Sequence, residues 1–226
     1  MIKKIIKKIA GVGLILSMII TLTAGAEKVA CAKQKSKTDI LIENAKKEYG
    51  KMLKNDDLLI NGKHFCLKDL SGDKVPELII KNSKEYSILT YNGKRAIEVS
   101  YGNASQIKYN SKKRYLLIEY SGNVEKDGEG GTDEWEHIKS QKVNSSTQLR
   151  FKKSGKIKST ISYEKWYTTY TSKYKNKTEY FKVVKNKSTK ISSKSFNKSF
   201  KSARKGCSKL RWYRNNKTNW KKLHMV

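Results

Sequence analysis

The chain predicts an α+β fold: a mainly antiparallel β meander, preceded by an N-terminal amphipathic helix and closed by a C-terminal helix-strand unit. Three observations carry this. Apolar residues recur at helical spacing from Ile40 to Leu53 and again from Phe196 to Ala203. Between these stretches, runs of β-branched and aromatic residues alternate with period two and are broken by turn pairs such as Asn92-Gly93 and Ser154-Gly155. A length of 226 residues, 37% of them hydrophobic, supports one domain with a modest core.

The first segment is set apart. Met1–Lys8 carries four lysines, Ile9–Leu22 is an apolar run, and small residues follow at Ala24-Gly25-Ala26 and Ala30-Cys31-Ala32. This is the pattern of an export signal with A-x-A cleavage sites, and the apolar run is shorter than the roughly 20 residues that span a bilayer. Residues 1–32 are therefore read as a signal peptide and 33–226 as a single secreted or cell-surface-associated α+β domain, with no transmembrane segment after cleavage. Lys28-Val29-Ala30 ahead of Cys31 is unlike a lipoprotein signal. Cleavage after Ala32 leaves Cys66 and Cys207, an even count that permits one disulfide or two independent thiols.

Thr38-Asp39 is read as the cap of the first helix, with Ile40, Leu41, Ala45, Tyr49, Met52 and Leu53 as its apolar face. A strand follows in which Phe65 and Leu67 face inward while His64, Cys66 and Lys68 face outward. After an acidic turn come strands at Glu77–Lys81, Tyr86–Tyr91, Arg95–Tyr101, Gln106–Tyr109 and Arg114–Tyr120. Ser121–Glu134 holds four glycines among its acidic residues and is read as a loop. Strands resume at Trp135–Val143, Thr147–Lys152 and Lys156–Glu164. Tyr163, Trp166, Tyr167, Tyr170 and Tyr174 have helical spacing, but the intervening Thr and Ser favour a hairpin turning through Lys173–Lys177. Ser192 or Ser193 caps a helix with Phe196, Phe200 and Ala203 on one face, Gly206 stops it, and a strand Leu210–Tyr213 leads to a final segment containing Trp220.

Charge is unevenly distributed. Lys33–Glu136 has 19 basic and 17 acidic residues, whereas His137–Val226 has 26 basic residues against Glu164 and Glu179 alone. Such a surface attracts polyanions at long range. Only six of the 50 basic residues are Arg, so the attraction is diffuse rather than a bidentate reading of phosphate, and no specific nucleic-acid motif accompanies it.

The sharpest local pattern is Phe65–Ile80, strand, acidic loop and strand. Asp69, Ser71, Asp73, the Val75 carbonyl and Glu77 are spaced so that a tight turn can aim several oxygens at one hard cation, calcium first; a structural turn whose Asp side chains cap backbone amides is the alternative. The run Phe65-x-Leu67-x-Asp69, then Ser71, Asp73 and Pro76-Glu77-Leu78, resembles the single acidic loop of uncharacterised exported proteins of Gram-positive bacteria, similar to the calcium-binding loop of FG-GAP or VCBS-type repeats. The resemblance covers about Ile40 to Tyr101. It implies export, to a secreted or cell-surface-associated location, and a calcium loop, with no reaction attached. Lys74 stands where the family has Gly, and Ile80 where an EF-hand places its bidentate Glu, so affinity is expected on the order of 10⁻⁴ to 10⁻³ M.

The expectation is an exported, non-catalytic protein with weak calcium binding at Asp69–Glu77 and electrostatic association with anionic cell-wall polymers. Binding of extracellular nucleic acid or glycosaminoglycan is the first alternative. A wall- or glycan-acting hydrolase using carboxylates from Glu125–Glu136 is the second, although no nucleophile elbow, zinc helix or phosphate loop is present in the sequence.

Overall fold

The computed structural model describes residues 35–54, 63–124, 138–171 and 175–226. The expected signal peptide, Trp135, His137, Tyr174 and the part of the expected Ser121–Glu134 loop after Val124 lie outside them; Ser121–Val124, expected in that loop, are strand instead, paired with Gln141–Asn144.

Helix α1 spans Lys37–Lys54. Its start is a reciprocal capping box: the Asp39 amide donates to Ser36 Oγ (3.2 Å), and the Asp39 carboxylate accepts from the Ser36 amide (3.2 Å) and hydroxyl (2.7 Å). The cap is thus Ser36 rather than Thr38, because the box needs an acid three residues after the hydroxyl. Ala45, Tyr49 and Leu53, on one i, i+4, i+8 line, are buried, while Ile40 lies off that line and is 47% exposed.

The strands form two antiparallel sheets. The first has the order β12-β1-β2-β3-β4, with β1 His64–Lys68, β2 Glu77–Lys81, β3 Glu85–Tyr91, β4 Ala96–Asn103 and β12 Tyr213–Arg214. The second runs β10-β9-β8-β7-β6-β5-β11, with β5 Gln106–Asn110, β6 Tyr115–Val124, β7 Ile138–Phe151, β8 Ile157–Tyr170, β9 Lys177–Val184, β10 Lys187–Lys190 and β11 Ser208–Lys209. Each sheet is a meander of consecutive strands with one late strand added at an edge. The chain crosses from the first sheet to the second through the short link between β4 and β5, where Ala104 is buried. Helices α2 (Ser193–Arg204) and α3 (Lys217–Lys222) complete the α+β fold.

Register explains the layering. Phe65 pairs with Ile80 and Leu78 with Leu89, and these residues pack with Ala45, Tyr49 and Leu53 of α1, together with Trp220 and Met225. Cys66, Ile79 and Ile88 take the opposite face and pack with Ile107, Leu116, Ile118, Leu149 and Phe151 of the second sheet. The far face of the second sheet carries Tyr115 and Leu117, which meet Ala203 of α2. The order of layers is helix, sheet, sheet, helix.

This arrangement corrects several expectations. Cys66 is buried, not outward-facing, because the first sheet is covered on both faces. Cys66 and Cys207 are free and sit in clusters on opposite sides of the second sheet, so they form no bridge. The two strands expected at Trp135–Val143 and Thr147–Lys152 are, over the described residues, one strand, because Asn144, Ser145 and Ser146 pair continuously with β6 and β8. The strand expected at Leu210–Tyr213 is instead a crossing: Ser208 pairs with Tyr109 in the second sheet, and Tyr213 pairs with Phe65 in the first. The aromatic series does lie on strand β8, which sends Tyr163 and Tyr167 to one face and Trp166 and Tyr170 to the other.

Candidate functional site

The acidic turn connects β1 to β2, whose ladder closes at the Lys68–Glu77 pair. Its side chains fold inward onto its own backbone. Asp69 Oδ1 accepts from the Gly72 amide (2.5 Å) and Oδ2 from the Lys74 amide (3.3 Å), while Asp73 Oδ1 accepts from the Val75 amide (2.8 Å). The Ser71 hydroxyl donates to Asp69 (3.5 Å) and accepts from the Asp73 amide (3.4 Å). Two residues take left-handed backbone, Gly72 at φ 85° and Lys74 at φ 75°. The Val75 side chain is anchored in the core beneath α1.

Glu77 is 2% exposed, and its carboxylate accepts from the Leu70 amide at 2.6 Å. Burial raises its pKa to about 7, with Asp73 and Asp69 adding to the rise and the Leu70 and Ser71 hydrogen bonds opposing it. Arg114, at the turn between β5 and β6, supplies a cation from 3.7 Å at Asp69 Oδ1. No local pattern marks Arg114 as part of this site. Only the packing of the second sheet on the first brings it there.

The turn therefore gathers Asp69, Ser71, Asp73 and Glu77, and their oxygen chemistry suits a hard cation in kind. Backbone amides and the Arg114 guanidinium already supply positive partners to these oxygens. Among the described residues, no three His, Cys, Asp or Glu side chains meet as a metal-holding group.

The basic half makes a different surface. Ser192 caps α2 by accepting from the Ser195 amide, at 3.2 Å, and Phe196 and Ala203 are buried on its inner side. Phe196 stacks on Phe200 (5.1 Å) and makes a tilted pair with Tyr180 (5.2 Å). Lys194, Lys198 and Lys201 follow an i, i+4, i+7 line on the opposite side, continued by Lys205 at the C-cap, and all four are exposed. Helical rise spaces successive lysines about 4.5 to 6 Å apart along the axis. The helix has no acidic residue of its own.

The few acids near this surface are already engaged. Glu119 pairs with Lys108 (2.9 Å) and with Arg204. Burial pushes its carboxyl up, but the hydrogen bonds and charges of those two cations more than offset this and hold it below the usual carboxylate range. Glu179 pairs with Lys190 (2.8 Å) and Lys177 (3.2 Å), the Lys190 contact being the main cause of its lowered pKa. Glu164 accepts from the Trp166 indole at 3.0 Å. Exposed Lys182, Lys185 and Lys187 on β9, β10 and their turn extend the cationic surface.

The carboxylates expected for hydrolysis, Glu125–Glu136, lie outside the described residues. Comparison with protein-family models, with curated proteins and with solved structures gave no match.

Proposed function

We propose that this chain is an exported, non-catalytic protein held to anionic polymers of the cell surface by the lysine ridge of α2 and the adjoining β9–β10 hairpin. The ridge carries the reading: Lys194, Lys198, Lys201 and Lys205 project from one side of a helix whose other side is anchored by Phe196 and Ala203. A rigid line of ammonium groups with no acid interleaved matches a polymer with regularly repeated negative charge. Lysine, a compact hydrated charge, favours tolerance of many polyanions over a bidentate fit to one. Nucleic acid and glycosaminoglycan share this chemistry and are the alternatives that the test separates.

The test is retention of the purified protein on teichoic-acid-bearing wall preparations, heparin and duplex DNA at equal salt. Binding should weaken steadily as salt rises, since surface charges are screened over about 8 Å at physiological ionic strength. The Lys194, Lys198 and Lys201→Ala triple variant should lose most of it, and the corresponding Arg variant should keep it. Retention on all three matrices that ignores these substitutions overturns the reading.

Weak calcium binding at the acidic turn is a second proposal, favoured by the mutual repulsion of Asp69, Asp73 and buried Glu77. A cation would relieve that repulsion and displace the Glu77 proton. Calcium affinity should therefore rise with pH through about 7. Calorimetry that records no heat at millimolar calcium on either side of that pH sinks it.

A further inference from the structure

A cleft of about 740 Å³ opens between the protruding end of β6, the β2–β3 turn and the β4–β5 link. That volume lies within the range of small-molecule sites, which runs to roughly 300–1,000 Å³, but such sites are mostly apolar and this one is not. Among the described residues its walls carry Ser83, Lys84, Asn103 and Ser105, and the largest side chain is Tyr120. Among the described residues, no carboxylate lines it. Hydroxyls and carboxamides both donate and accept, which is the complement of a ligand covered in hydroxyl groups.

The aromatic is deliberately placed. Tyr120 and Gly122 share one face of β6, and a Cβ on Gly122 would lie 2.1 Å from the Tyr120 hydroxyl oxygen and 2.5 Å from Cζ. The phenol ring therefore lies along the strand over residue 122, a position that a side chain at 122 would deny it. Among the described residues, the backbone beside it also has no strand partner on one side. Strand β5 begins at Gln106, opposite Glu119, so Tyr120–Val124 extend past it. On that side the Ser121 amide donates instead to Ser105 Oγ, at 3.0 Å. Lys84 lines the cleft from the β2–β3 turn, where its carbonyl accepts from the Ala104 amide at 2.7 Å, and among the described residues its ammonium makes no ion pair.

We propose that this cleft binds a saccharide unit, with the sugar ring on Tyr120, its hydroxyls on the Ser and Asn side chains, and an anionic substituent on Lys84. An aromatic floor suits the weakly polar C–H side of a sugar ring, and a single unpaired ammonium selects a charged sugar over a neutral one. No residue of α2 lines the cleft, so this site is independent of the lysine ridge.

The test is amide chemical-shift mapping of the folded, isotope-labelled protein with glucuronate, glucose and inorganic phosphate titrated separately. Glucuronate at millimolar concentration should shift the amides of Ser105, Ser121, Gly122 and Asn123, and glucose should shift the same set more weakly. Phosphate should leave them in place. Tyr120→Ala should abolish the sugar shifts, Tyr120→Trp should keep them, and Gly122→Ala should weaken them by displacing the ring, with each spectrum reporting whether the variant is folded. The absence of sugar shifts, the same shifts with phosphate, or an unaffected Tyr120→Ala titration overturns the proposal. Equal affinity for glucose and glucuronate overturns the role of Lys84.

Discussion

The Arg114 guanidinium lies directly over Gly72: a Cβ built on that glycine would sit 2.2 Å from Nη2. Arg114 thereby covers the acidic turn from the second sheet and brings positive charge to Asp69. Both members of the pair leave the usual backbone regions, Gly72 at φ 85° and Arg114 at φ 52°. Gly72→Ala should cost about 1 kcal/mol from the left-handed backbone alone. The long Arg114 side chain can swing aside, so the clash adds little. Urea unfolding of the single variants and of Gly72→Ala combined with Arg114→Ala measures both, and a loss far above that figure means the guanidinium is rigidly held.

Lys74 takes the same left-handed backbone without glycine's freedom. Lys74→Gly should therefore stabilise the protein, by about 1 kcal/mol, as removal of the Cβ penalty outweighs the added flexibility of the unfolded chain. A lower urea midpoint for Lys74→Gly refutes this.

Glu77 makes stability depend on pH. Its folded pKa, about 7, is above the ordinary carboxyl value of 4.5, so the folded state holds the proton more tightly than the unfolded state. Its contribution is complete below the unfolded value and is lost as pH rises through about 7, a change on the order of 3 kcal/mol. Glu77→Gln keeps an acceptor for the Leu70 amide and should flatten this part of the curve. Thermal melts of both proteins from pH 4 to pH 8 decide it, and parallel curves exclude Glu77 as the cause.

Tyr115 ties α2 to the second sheet. It is 1% exposed, and its hydroxyl donates to the Ala203 carbonyl at 2.5 Å. Tyr115→Phe keeps the ring and removes the donor, leaving the Ala203 carbonyl with the weaker Cys207 thiol donor at 3.3 Å, at a cost of about 1 kcal/mol. Hydrogen exchange should speed up in α2 before β6. Uniform acceleration throughout the domain contradicts this local role.

Phe196 anchors the lysine ridge. Phe196→Ala, at a site 4% exposed, should cost about 3–5 kcal/mol and loosen α2. Heparin retention should fall in this variant even though every lysine remains. Unchanged retention means that charge alone, without a fixed ridge, suffices.

Local pattern determined much of this protein. Runs of β-branched and aromatic residues placed β2 and β3, Asn92-Gly93 marked the turn after β3, and Ser192 with the Phe196, Phe200 and Ala203 spacing marked α2, because each signal acts within a few residues. The acidic turn was equally legible, since its carboxylates cap amides no more than a few positions away. Tertiary structure decided what these elements face. Cys66 is buried because a second sheet covers β1, and Ser145 and Ser146 remain in one long strand because β6 and β8 pair with them from both sides. Arg114 reaches Asp69, and Ser83 and Lys84 line one cleft with Tyr120, through packing that joins residues distant in the chain. Periodicity reports how a residue alternates with its neighbours. Burial on both faces and contact across sheets depend on the order in which layers stack, and no short window of sequence carries that.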